Sequence, residues 1–171
     1  MRYKTILRTG AVATGVGLAI AGCGSGSGGT GAAGTSNGST VSVRTVNGAG
    51  STLTGADGKT LYFADQEANK QIKCTGGCLS FWEPLTVASG MTPTAGSGVT
   101  GTLATVHRPD GTVQVTYNGK PLYEFAEDSG PGQAKGNGFA DSFNGTDFTW
   151  HAATPSGAAP APSNPGGGNG Y

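Results

Sequence analysis

Apolar residues in this chain fall into short runs, and no window of a dozen residues places them at three-and-four spacing. That pattern predicts strands and argues against amphipathic helices. Val113-Gln114-Val115-Thr116-Tyr117 alternates cleanly. Val41-Ser42-Val43-Arg44-Thr45-Val46 alternates only in part, but its Val and Thr content favours a strand. Asp57-Gly58, Asp110-Gly111 and Asn118-Gly119 punctuate the chain as hairpin turns, because both central positions of such turns need positive φ. Asn118-Gly119 is the strongest of the three. A two-residue loop there pairs Tyr117 with Lys120 and Val115 with Leu122. Pro121 has no N–H to give to a ladder, so its position is expected at an edge or a bulge. Asp110-Gly111 adds Thr102–His107 as a third strand, which makes a meander.

The chain also repeats itself. Asp57-Gly58-Lys59-Thr60-Leu61-Tyr62-Phe63 returns 61 residues later as Asn118-Gly119-Lys120-Pro121-Leu122-Tyr123-Glu124-Phe125. Each copy has an acid five residues after its tyrosine, Glu67 and Asp128, and then reaches a tryptophan, Trp82 and Trp150. Either unit alone is too small for a core. The expected fold is all-β, with two related antiparallel hairpin repeats, about 41–88 and 101–153, packed as one pseudo-symmetric domain over 41–153. Each tyrosine is expected to meet its own copy's acid and lock the hairpin end.

The flanks read differently. Arg2, Lys4 and Arg8 precede a short apolar stretch, Ala11 to Ala21, that is too short for a mature membrane span. It ends in Ile20-Ala21-Gly22-Cys23, which resembles the bacterial lipobox. That resemblance implies export, removal of the signal peptide 1–22, and lipid (palmitate-type acyl chains) on Cys23. Two or more chains anchor stably at roughly 0.8 kcal/mol per buried methylene. Residues 23–40 then form a Gly/Ser tether with a reach of roughly 20–25 Å. Residues 154–171 form a Pro/Gly tail expected to be disordered. Charged residues are only 12% and the net charge is zero. No Lys/Arg cluster is available to neutralise phosphates, so nucleic acid is not an expected partner.

Tyr123, Phe125 and Asp128, followed by Pro131-Gly132-Gln133, Gly136 and Trp150-His151, carry a specific pattern. The earlier copy has Gly58-Lys59-Thr60-Leu61-Tyr62, Cys74-Thr75-Gly76-Gly77-Cys78 and Trp82-Glu83-Pro84-Leu85. Together these resemble the bacterial "secreted repeat of unknown function" lipoproteins, described by a tyrosine, an aromatic two residues later and an aspartate three after that. The first copy departs from the pattern at Ala64, where the family has an aromatic, and at Glu67, where it has aspartate.

Cys74 and Cys78 are most simply a disulfide in an exported protein, with Gly76 and Gly77 freeing the turn. A redox-active pair and a metal site are the alternatives. The thioredoxin-type motif has two intervening residues rather than three. A zinc site would need His107 and His151, at no recognised spacing. Tyr62, Trp82, Tyr123, Phe125, Asp128, Trp150 and His151 are the candidate ligand-binding residues, weighed against ordinary core packing. His151 with Asp128, Asp141 or Asp147 is a conceivable metal set. No Gly-x-Ser-x-Gly elbow stands in the folded region, so no catalytic residue is assigned. Asn144-Gly145-Thr146 matches the glycosylation pattern, which says little in a bacterial-type chain. The expected function is a non-enzymatic binding or structural module of the cell envelope. It is held at the cell membrane or outer membrane, on the extracytoplasmic face, by its lipid, and meets another envelope protein or a small ligand. No cofactor is assigned; the alternative is a redox or haem- or metal-carrying envelope protein.

Overall fold

The computed structural model describes residues 39–160. The expected signal peptide, the lipidated Cys23, the tether up to residue 38 and the tail beyond residue 160 lie outside the described residues. Among those described, the chain forms eleven short strands and two 3-10 helices. All strand pairs are antiparallel.

β1 (Ser42–Val46) and β2 (Gly50–Thr54) make a hairpin in which Val46 faces Gly50. The Asp57-Gly58 turn comes next, with Gly58 at φ 87°. It builds less than the hairpin expected of it. β2 and the following β3 (Leu61–Ala64) meet only at a Thr54–Thr60 bridge. Two 3-10 helices, Asp65–Lys70 and Gly76–Ser80, lead past the cysteines to β4 (Trp82–Pro84) and β5 (Thr86–Val87).

The meander forms where the turn dipeptides place it. β6 (Leu103–His107) pairs along its whole length with β7 (Val113–Tyr117). Asn118 and Gly119 adopt φ 50° and 80°, and Tyr117 pairs with Lys120. Leu122 N–H donates to the Val115 carbonyl at 3.0 Å. Pro121 ends the two-residue β8 (Lys120–Pro121), and the chain there crosses into the other sheet as β9 (Tyr123–Phe125). A proline at the crossing costs the ladder nothing, because no N–H is needed there.

β10 (Ala140–Phe143) and β11 (Thr146–Ala152) form a further hairpin. Its turn is Asn144-Gly145, at φ 52° and 75°. The dipeptide that read as a glycosylation pattern is thus also a turn signal of the same kind as Asn118-Gly119.

Strands β10-β11-β3-β9-β4 make a five-stranded sheet; β5-β7-β6 with β8 make a second, and β1-β2 a separate ribbon. At the centre of the large sheet β3 pairs with β9, and Tyr62 faces Tyr123. On the flanks Trp82 faces Phe125 and Trp150 faces Ala64. Ala64 and Phe125 are 61 residues apart, so the two tryptophans hold corresponding registers. The strands of the two copies are interleaved: β11 lies against β3, and β4 against β9.

All four residues of β3 are buried, which explains an apolar run without alternation. Tyr62 and Ala64 enter a core with Trp82, Tyr123, Phe125 and Trp150. Leu61 and Phe63 enter another with Val41, Leu53, Val115 and Leu122. The clean alternation of β7 does not mark a wet face either, since Gln114 and Thr116 are also buried. The expected tail does not leave the domain at Ala153. The Pro155 carbonyl accepts from Tyr117 Oη at 2.5 Å and from Thr100 Oγ1 at 2.8 Å, which holds this segment against the meander.

Candidate functional site

The middle of the large sheet carries an aromatic layer. Trp82 and Trp150 stack with ring centroids 3.8 Å apart and planes 10° apart. Tyr62 meets Trp82 edge-to-face at 5.5 Å, and Tyr123 meets Trp150 likewise at 5.2 Å. Phe125 stacks on the far side of Trp82 at 4.4 Å. Such pairs each contribute roughly 0.5–1.5 kcal/mol beyond area burial. Gly136 closes over the layer. A Cβ there would stand 2.8 Å from Trp82 Cη2 and 3.0 Å from Tyr62 Cε1.

Both indoles donate to one carboxylate. Trp82 Nε1 reaches Asp141 Oδ2 at 2.7 Å, and Trp150 Nε1 reaches Asp141 Oδ1 at 2.9 Å. Asp141 comes from the edge strand β10. A buried indole N–H needs an acceptor, so some partner was foreseeable from sequence, but nothing in the spacing pointed to residue 141. The sequence had weighed it only as a metal partner for His151.

The tyrosines do not bond the acids of their own copies. Tyr62 Oη donates to Asp128 Oδ2, 66 residues away, at 2.5 Å. Lys135 N–H donates to the other oxygen of Asp128 at 3.0 Å. Burial first, then the bond to Asp128, push the Tyr62 phenol well above its usual pKa. Tyr123 in turn lies beside Glu67. Burial and then the charge of Glu67 raise its pKa, while Arg108 opposes them. The approach falls short of a hydrogen bond, and Glu67 Oε2 has no partner. The lock that forms, at Tyr62, is therefore crossed between copies, and Tyr123 only faces the other copy's acid. The antiparallel β3–β9 pairing explains this, because it points each strand's end toward the other copy's loop.

Glu67 is buried, and its Oε1 accepts from Lys73 N–H and Cys74 N–H, both at 2.6 Å. Cys74 and Cys78 form a buried disulfide with Cα atoms 5.4 Å apart. Arg108, which the sequence reading missed, holds the other side. Its buried guanidinium donates to the Cys74 carbonyl at 2.8 Å, to Gln114 Oε1 at 2.6 Å and to Tyr123 Oη at 3.3 Å. The turn after it is braced by Asp110. The side-chain and backbone donors of Thr112 hold the Asp110 carboxyl below the usual carboxylate range.

Of the seven candidate ligand residues, Tyr62, Trp82, Tyr123, Phe125, Asp128 and Trp150 are buried. His151 alone presents surface. Its Nε2 lies 2.9 Å from Asp65 Oδ2, and its ring packs 5.6 Å from Phe63. It opens on a pocket of about 260 Å³, lined also by Asn137, Gly138, Ala159 and Pro160. Asp128 and Asp141 are spent on Tyr62 and on the indoles, so the acid at His151 is Asp65, which no motif had marked.

Tyr123 packs on Trp150, Phe125 on Trp82, and Asp128 accepts from Tyr62. Residues 104–154 match a family described as a secreted repeat of unknown function. This is the family that the motifs resembled. The matched span runs from within β6 to just past β11 and takes in the second copy. Searches among curated proteins and among solved structures found no match. The family's description as secreted agrees with an extracytoplasmic place for the chain. Among the described residues, no helix is long and apolar enough to cross a membrane.

Proposed function

We propose that this chain is a lipid-anchored domain of the extracytoplasmic surface, acting as a non-enzymatic binding or structural module of the cell envelope. The observation that carries the reading is how the repeat's signature side chains are used. The Tyr62 hydroxyl, both indole N–H groups and the Asp128 and Asp141 carboxylates are engaged in bonds inside the fold. Groups fixed in this way support a rigid body that presents its surface to a partner. Phe81 and Phe139, 44% and 38% exposed, are where a partner gains most apolar contact near the tryptophan layer. The acyl chains on Cys23 supply the anchor, and the Gly/Ser tether sets the domain off the membrane while keeping it local.

Cys23→Ser tests the anchor. The variant is expected in the soluble fraction or as an uncleaved precursor; a processed, membrane-bound product would overturn the anchor. Native mass spectrometry of the membrane-extracted protein tests the module. A mass equal to polypeptide, acyl chains and one disulfide agrees with it. Bound haem or metal would replace it with a carrier role.

A further inference from the structure

The aromatic layer has an order that packing alone does not require. Tyr62, Trp82, Trp150 and Tyr123 stand in a row, each in contact with the next at centroid distances of 5.5, 3.8 and 5.2 Å. These are the side chains that give up single electrons most readily. A neutral acceptor would satisfy a buried indole or phenol. Here the acceptors at Trp82, Trp150 and Tyr62 are carboxylates, able to receive the proton as well as the bond.

We propose that this row is a relay for single oxidising equivalents, with Asp141 and Asp128 as its proton acceptors. Removing an electron from a buried ring leaves a radical cation, which a low-dielectric interior disfavours. Passing the proton along an existing hydrogen bond leaves a neutral radical instead. In the first step a diffusible one-electron oxidant, of the class of high-potential metal complexes, takes an electron from Trp82. The Nε1–H bond breaks, its proton forms an O–H bond on Asp141 Oδ2, and the oxidant is reduced. In the second step Tyr62 gives an electron to the Trp82 radical. The Tyr62 proton passes to Asp128 Oδ2, and Asp141 returns its proton to Trp82 Nε1. The net result is one oxidised tyrosine and one protonated Asp128. A thiol or hydroquinone resets the row by giving one electron, becoming a thiyl or semiquinone radical and losing its own proton to water, while Asp128 returns the proton to Tyr62.

The two proton acceptors, rather than the ends of the row, differ in exposure. Asp141 is half-buried on the edge strand β10. Tyr62 and Asp128 are buried, so a radical held there is shielded from quenching. The raised phenol pKa of Tyr62 keeps its proton in place until the electron leaves. The proposal is independent of the lipid anchor and of any partner.

The test uses the full-length chain and photogenerated tris(bipyridine)ruthenium(III), followed by transient absorption and freeze-quench electron paramagnetic resonance. A neutral tryptophanyl radical is expected first, decaying into a tyrosyl radical. Trp82→Phe is expected to slow reduction of the oxidant by about tenfold, the factor that 1.4 kcal/mol of barrier gives. Tyr62→Phe is expected to prolong the tryptophanyl signal. Asp141→Asn keeps an acceptor for one indole but cannot take the proton, so oxidation of Trp82 is expected to slow and the tryptophanyl radical to form still protonated. Near-UV circular dichroism checks that each variant is folded. The parent chain supplies a measurement that needs no variant: the first step is expected to be slower in D2O. Equal rates in H2O and D2O, or a tyrosyl radical formed as fast in Trp82→Phe as in the parent, would overturn the relay.

Discussion

Tyr62 shows at the residue scale how a signature position is used. Its buried hydroxyl donates to the buried carboxylate of Asp128. Tyr62→Phe leaves that carboxylate oxygen buried and unpaired, at a cost of roughly 1–3 kcal/mol. Thermal melts are expected to show a lower Tm; an unchanged Tm would mean the bond carries no stability. Tyr123→Phe is expected to cost less, because the bond lost to Arg108 is longer, at 3.3 Å. Glu124 gives a pH dependence. Its carboxyl is pushed up by burial and then by Asp57, with Lys59 at 3.4 Å opposing. A raised pKa means the folded state holds this proton more tightly than the unfolded chain. Stability from this group is therefore fully present at acid pH and declines as pH rises from the ordinary glutamate range through the raised pKa. Glu124→Gln is expected to melt higher than the parent at pH 7, by less than the 4 °C or so that 1 kcal/mol gives. The gap is expected to close near the acid limb; a gap that widens there would reverse the sign.

At the scale of elements, turns were legible and partners were not. Asn118-Gly119 set its own hairpin because its positive φ values are local properties of two residues. The same physics was present at Asn144-Gly145 and went unread because the tripeptide suggested glycosylation first. The bonds of Tyr62 and Asp141 span 66 and 59 residues. Spacing along a chain does not encode such contacts, and only the β3–β9 pairing decides which acid each tyrosine meets. Arg108 was invisible for a related reason. Charged side chains are seldom fully buried, and its partners Cys74, Gln114 and Tyr123 come from separate elements. Two glycines test the two roles of a missing Cβ. Gly119→Ala meets no neighbour within 4 Å but sits at φ 80°, so its cost is backbone strain of roughly 1–2 kcal/mol. Gly136→Ala carries no such φ and instead presses on Trp82 and Tyr62, at roughly 1–3 kcal/mol. Melts are expected to show both losses, with a changed near-UV spectrum for Gly136→Ala alone.

For the whole molecule, interleaving matters more than repetition. The matched span 104–154 contains β9 and β11, yet both pair with β3 from outside it. Residues 101–160 produced alone are therefore expected to show the narrow amide dispersion of an unfolded chain in NMR. A dispersed spectrum would show that one copy suffices. The disulfide closes a small loop, so Cys78→Ser is expected to cost roughly 2 kcal/mol by chain entropy. Part of any larger loss in denaturant titrations would come from Glu67 and Arg108, which both bond the backbone of Cys74.

The stacked indoles have an optical consequence. Trp82 and Trp150 are the chain's only tryptophans. At 3.8 Å and 10° their transition dipoles couple, so they absorb and emit as one chromophore. Indole fluorescence and the circular dichroism couplet of this protein thus report a single spot, the clasp made by Asp141, and any event that parts the rings is visible there without a label.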